Sequence, residues 1–60
     1  MEKTDRIIEE LRLRGFQMTR EEFLETRTHR ILEHYDIEEP LTTEEYLELV
    51  VRIYQLCNDR

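Results

Sequence analysis

Serine is absent from the 60 residues, and glycine, proline and cysteine occur once each. Each scarcity excludes something. Without serine, hydroxyl nucleophiles are limited to Thr and Tyr. Gly15 stands alone, so there is no glycine-rich loop to cradle a phosphate. Cys57 has no partner within the chain, which rules out an intrachain disulfide and leaves too few ligands for a Cys/His zinc site. A lone cysteine without a framework fits a reducing compartment. No apolar run approaches the roughly 18 residues of a membrane span. The start, Met1-Glu2-Lys3-Thr4-Asp5, lacks the apolar stretch of a signal peptide. The expectation is a soluble, cytoplasmic protein.

What is present is charge and helical periodicity. Charged residues make up 40% of the chain, with a net charge of −6. Ile, Leu, Val, Tyr and Phe recur at helical spacing, which argues for a folded all-α unit over disorder. Sixty residues allow one small helical domain, 1–60. A chain this short buries only about 60% of the surface it exposes when unfolded, so its core is marginal. With disulfides and zinc removed as staples, self-association is the one left.

The charge is uneven. From Arg12 to Arg30, five Arg face Glu21, Glu22 and Glu25, a balance of +2. From Glu33 to Asp59, eight acids face Arg52 alone, a balance of −7. The acidic half repels phosphate backbones.

The chain nearly repeats itself. Met18–Glu25 reads MTREEFLE and Leu41–Glu48 reads LTTEEYLE, identical at five of eight positions and offset by 23 residues. Each segment spells a helix start. Thr19 with Glu22, and Thr42 with Glu45, are spaced as capping boxes. Met18 with Phe23, and Leu41 with Tyr46, are spaced as hydrophobic staples. Each cap is worth about 1 kcal/mol. After the octapeptide the likeness ends: Thr26, Arg27 and Thr28 stand opposite Leu49, Val50 and Val51. Shared helix-start grammar explains the repeat better than duplication does.

Three helices are expected, at about 3–14, 20–35 and 43–57, with antiparallel neighbours. The first buries Ile7, Ile8 and Leu11, with Thr4 between them, and closes at Gly15, after which Phe16 folds back onto Leu11. Arg6 and Glu10 are spaced as an i,i+4 pair. The second presents Leu24, Thr28, Ile31, Leu32 and Tyr35 on one face, with Phe23 at its edge. Pro40 ends the connection that follows. The third is apolar over an arc of about 220°, twice that of an ordinary surface helix. Glu48 and Arg52 are spaced as a pair along its polar strip.

An arc that wide exceeds what two other helices cover. The expected core is Ile7, Ile8, Leu11, Phe16, Leu24, Ile31, Leu32, Leu47, Val50, Val51 and Tyr54. The expected surplus is Leu49, Ile53 and Leu56 with Tyr46 beside them, a stripe for protein interaction, in the first instance with a second copy across a two-fold axis. The function expected is a non-catalytic protein-interaction module or regulator with no cofactor, acting as a homodimer or on another protein partner.

Other chemistries are weaker on these residues. Arg20, Arg27 and His34, with Arg30 close by, form a basic band, but Glu21, Glu22, Glu25 and Glu33 dilute it, and the helix after it is acidic. Nucleic-acid contact through Arg20, Arg27 and Arg30 is the alternative reading. Leu11–Arg14 alternates like the strand of a ribbon-helix-helix dimer, against the helical face before it. The acids Glu33, Asp36, Glu38, Glu39, Glu44, Glu45 and Glu48 resemble a mimic of a nucleic-acid backbone that occupies a basic partner. His29 and His34 are five apart and diverge around a helix, so no metal site is expected. Cys57 reads as a small apolar residue near a helix end. No catalytic constellation appears.

Overall fold

The structure, a computed structural model, describes residues 2–57; Asp59, part of the acidic balance, lies outside them. Four helices occur among the described residues: α1 (Lys3–Leu13), α2 (Arg20–Glu25), α3 (Thr28–His34) and α4 (Thr43–Leu56). The all-α class is as the sequence predicts.

In α1, Thr4, Ile7, Ile8 and Leu11 follow helical spacing and all four are buried. Gly15 ends the helix at φ 78°. The Phe16 N–H donates to the Leu11 carbonyl at 2.9 Å and the Gly15 N–H to that of Arg12 at 3.1 Å. Those two bonds define a Schellman closure, and the left-handed residue it needs is the glycine. Glu10 pairs with Arg14 at 3.0 Å in place of the expected pairing with Arg6. The acid then lies N-terminal to the base, the order that suits the helix dipole.

The expected second helix, 20–35, is two helices. Thr26 (φ −114°, ψ 143°) and Arg27 (φ −84°, ψ 143°) are both extended between α2 and α3. β-Branched Thr26 and Thr28 favour such a break. Two extended residues reset the helical phase, and the consequences reach the core. α3 keeps Thr28, Ile31 and Leu32 inward. In α2 the inward residue becomes Phe23, while Leu24, expected in the core, is 73% exposed.

α3 closes as α1 does, without a glycine. Asp36 takes φ 57°, the Ile37 N–H donates to the Leu32 carbonyl at 2.9 Å, and the Asp36 N–H donates to that of Glu33 at 3.1 Å. Asp tolerates the left-handed region better than most residues. The closure folds Ile37 into the core. The two closures meet: the Arg14 guanidinium donates to the Tyr35 carbonyl, and the Phe16 and Tyr35 rings lie 5.9 Å apart.

Both capping boxes form. The Glu22 N–H donates to Thr19 Oγ1 at 3.1 Å while Glu22 Oε1 accepts the Thr19 N–H at 2.9 Å. The matching distances at Thr42 and Glu45 are 3.2 and 2.8 Å.

α4 packs along α1 through polar contacts in ascending order. Lys3 lies 3.9 Å from Glu45, the Thr4 hydroxyl donates to Glu48 at 3.0 Å, and Asp5 pairs with Arg52. The two helices therefore run in the same direction. Lys3 also donates to the Pro40 carbonyl at 2.7 Å, fixing the connection into α4. The core beneath is Ile7, Ile8, Leu11, Phe23, Ile31, Leu32, Ile37, Leu49, Ile53 and Cys57.

Candidate protein-interaction surface

The surface of α4 follows from its rotation about its own axis. Arg52 and Glu48 are turned toward α1 by Asp5 and Thr4. On a helical wheel the rest of α4 is one wide apolar arc, which divides into two adjoining parts. The fuller part holds Tyr46, Leu49, Val50, Ile53, Leu56 and Cys57. The narrower holds Leu47, Val51 and Tyr54.

The fuller part is the one turned inward. Leu49 and Ile53 are 0% exposed, and Leu56 and Val50 pack half-buried against the same cluster. Tyr46 is half-buried. Leu49 and Ile53, read from the sequence as outward anchors, thus have no surface to offer a partner, and Tyr46 and Leu56 have little. The reason is area: six apolar side chains gain more by burial than three, at roughly 25 cal/mol per Å².

The outward apolar stripe is Leu47, Val51 and Tyr54, exposed by 60%, 56% and 40%. These three were expected in the core. They too follow i, i+4, i+7 spacing, so a stripe exists on the predicted helix, on the adjoining part of its apolar arc. Tyr54 is held in place from α2. The Arg20 guanidinium lies 5.1 Å from the centre of its ring, Arg20 Nε donates to its carbonyl at 3.4 Å, and the Phe23 ring is 6.2 Å away. One turn beyond Arg20 on α2 is the exposed Leu24. On its other edge the stripe meets Glu44, Glu48 and Gln55, all exposed.

The basic band does not survive the break between α2 and α3. Arg20 is turned onto Tyr54. Arg27 sits at the junction, where it precedes α3 in extended conformation. Arg27 and Arg30 are exposed and share a shallow depression with His29, Thr26 and Glu25. The acidic tract is divided as well. Asp36, Glu38 and Glu39 line a groove of about 320 Å³ with Arg6, Ile7 and Glu10, whereas Glu45 and Glu48 face α1.

Burial pushes the Cys57 thiol above its ordinary range, against the opposing influence of Arg20. Among the described residues, no three His, Cys, Asp or Glu side chains are grouped to hold a metal ion, and no helix is long and apolar enough to cross a membrane. Compared with known proteins, the chain matches no family model, no curated protein and no solved structure.

Proposed function

We propose that this chain is a non-catalytic protein-interaction module whose docking surface is the Leu47–Val51–Tyr54 face of α4. The observation that supports it is the division of one wide apolar arc on α4: the inner part completes the core, and the outer part leaves three large side chains in solvent. Isolated exposed apolar residues are ordinary, but an unbroken stripe on a rigid helix is the usual mark of a binding surface. The role we assign is regulatory, by occupancy of a partner and without chemistry of its own. The compartment we assign is the cytoplasm, on the strength of a lone thiol packed into the core.

A second reading is self-association through the same face. Its support is size, since a 60-residue chain gains disproportionately from a partner copy, and closed two-fold dimers are the commonest oligomers. Light scattering on a sizing column at several concentrations separates the two. A mass that doubles with concentration in the parent chain and stays monomeric in Val51→Asp identifies a second copy as occupant. A monomer throughout leaves a foreign partner, tested by peptide titration below. The proposal fails if the chain is monomeric and no helical peptide binds in a Val51-dependent way.

A further inference from the structure

The setting of the stripe bears on what covers it. Along its edge run Glu44 and Glu48, both exposed. Glu44 makes no ion pair among the described residues, and Glu48 accepts only the Thr4 hydroxyl there. The neighbouring cation on α4, Arg52, pairs with Asp5 and also feels the charge of Glu48, which leaves Glu44 as the uncompensated acid of the border among the described residues. Among the described residues, the cation recorded against the stripe is Arg20, at its Tyr54 end. The Leu47–Val51 part of the stripe is therefore apolar with an acidic border, and the whole chain carries −6.

A second copy fits this border poorly. When two such helices pack antiparallel across a two-fold axis, each flank meets the same flank of its partner. Both copies bring an acidic flank and a net charge of −6 to such an interface, and like charges oppose association. A basic partner meets no such opposition. The stripe itself spans two turns of helix at i, i+4, i+7, the register by which one amphipathic helix reads another.

Resting on the interaction-module reading above, we infer that the α4 face takes a basic amphipathic helix. Its apolar side lies on Leu47, Val51 and Tyr54, and its Lys or Arg side chains border Glu44 and Glu48. Affinity comes from the apolar stripe. The carboxylates supply selection and speed of encounter.

The test uses the full chain and two synthetic helical peptides with the same leucine stripe, one flanked by lysines and one by glutamates, each labelled for fluorescence anisotropy. The lysine peptide is expected to bind at least about tenfold more tightly at low salt, with the gap closing as salt is raised. Val51→Asp abolishes binding with helicity intact by circular dichroism, since the site is exposed. Glu44→Lys, also exposed, narrows the gap between the peptides. Equal binding of both peptides, each lost in Val51→Asp, overturns the basic partner and leaves the docking face standing. Salt-sensitive binding of the lysine peptide that survives Val51→Asp overturns the stripe as its seat. A dimer that Val51→Asp dissociates overturns the foreign helix, because the occupant is then a second copy. If neither peptide binds a monomeric chain, both the partner and the docking face are wrong.

Discussion

The rotation of α4 fixes which residues stabilise the chain and which are free to bind, and one pair of substitutions measures it. Ile53 is fully buried, whereas Val51, two residues away on the same helix, is 56% exposed. Truncating a buried Ile to Ala removes the transfer free energy of its methyl groups and leaves a cavity, together about 2–5 kcal/mol. At 0.05–0.15 kcal/mol per residue, a 60-residue domain has about 3–9 kcal/mol in total. Ile53→Ala therefore removes about a fifth of the stability at the least and unfolds the chain outright if its reserve is small. Val51→Ala loses little burial and gains helix propensity, so its effect stays within about 0.5 kcal/mol. Urea unfolding followed by far-ultraviolet circular dichroism reads both. Leu49→Ala should resemble Ile53→Ala, and Leu47→Ala should resemble Val51→Ala. A Val51→Ala variant as damaged as Ile53→Ala, at every protein concentration, would refute the assigned rotation. A loss at Val51 that grows with protein concentration would report burial in a dimer.

Three further outcomes are expected. The helix closures respond in opposite directions to glycine: Asp36→Gly relieves a left-handed residue at φ 57° and stabilises by about 0.5 kcal/mol or a little more, whereas Gly15→Ala at φ 78° destabilises by about 1 kcal/mol although the side chain has room, both readable as shifts in urea midpoint. Glu22 and Glu45 are held below the ordinary glutamate range, first by the backbone N–H of Thr19 and of Thr42; their stabilisation is full above the unfolded value of about 4.3 and is lost as pH falls through the lower folded values. A Glu22→Gln/Glu45→Gln variant keeps the capping geometry and loses the charge, so its deficit should shrink toward acid; a deficit that ignores pH would refute this. Cys57, buried at the end of α4 with its thiol pushed up, should react with a thiol reagent far more slowly than an unfolded control, at a rate that urea accelerates.

The readings that held are those that depend on neighbours along the chain. Thr19 with Glu22 and Thr42 with Glu45 are three residues apart, so each capping box forms from local geometry alone. Gly15 closes α1 for the same reason. Ile7, Ile8 and Leu11 are buried because α1 has one apolar face and no choice of which to turn inward.

The readings that failed are those in which the chain offers two equivalent solutions. Residues 20–35 carry a continuous helical pattern, and only the extended conformation of Thr26 and Arg27 brings Phe23 inward and sends Leu24 out. Ile37 gave no periodic signal, because it enters the core through the closure at Asp36 and not on a helix face. On α4, both Leu49–Ile53–Leu56 and Leu47–Val51–Tyr54 repeat at i, i+4, i+7, and spacing cannot rank them. The relative fullness of the two parts of the arc was a usable signal and points to the observed side.

Sequence alone thus determined the helical class, both boxed helix starts, the closure of α1 and the presence of a surplus apolar stripe on the last helix, since each is a property of residues within one or two turns of one another. Tertiary structure decided which stripe is surplus. The fuller part of the α4 arc turns inward because it buries more area, and contacts across more than forty residues, Thr4 with Glu48 and Asp5 with Arg52, hold that rotation against α1, and with it the side that lies in water.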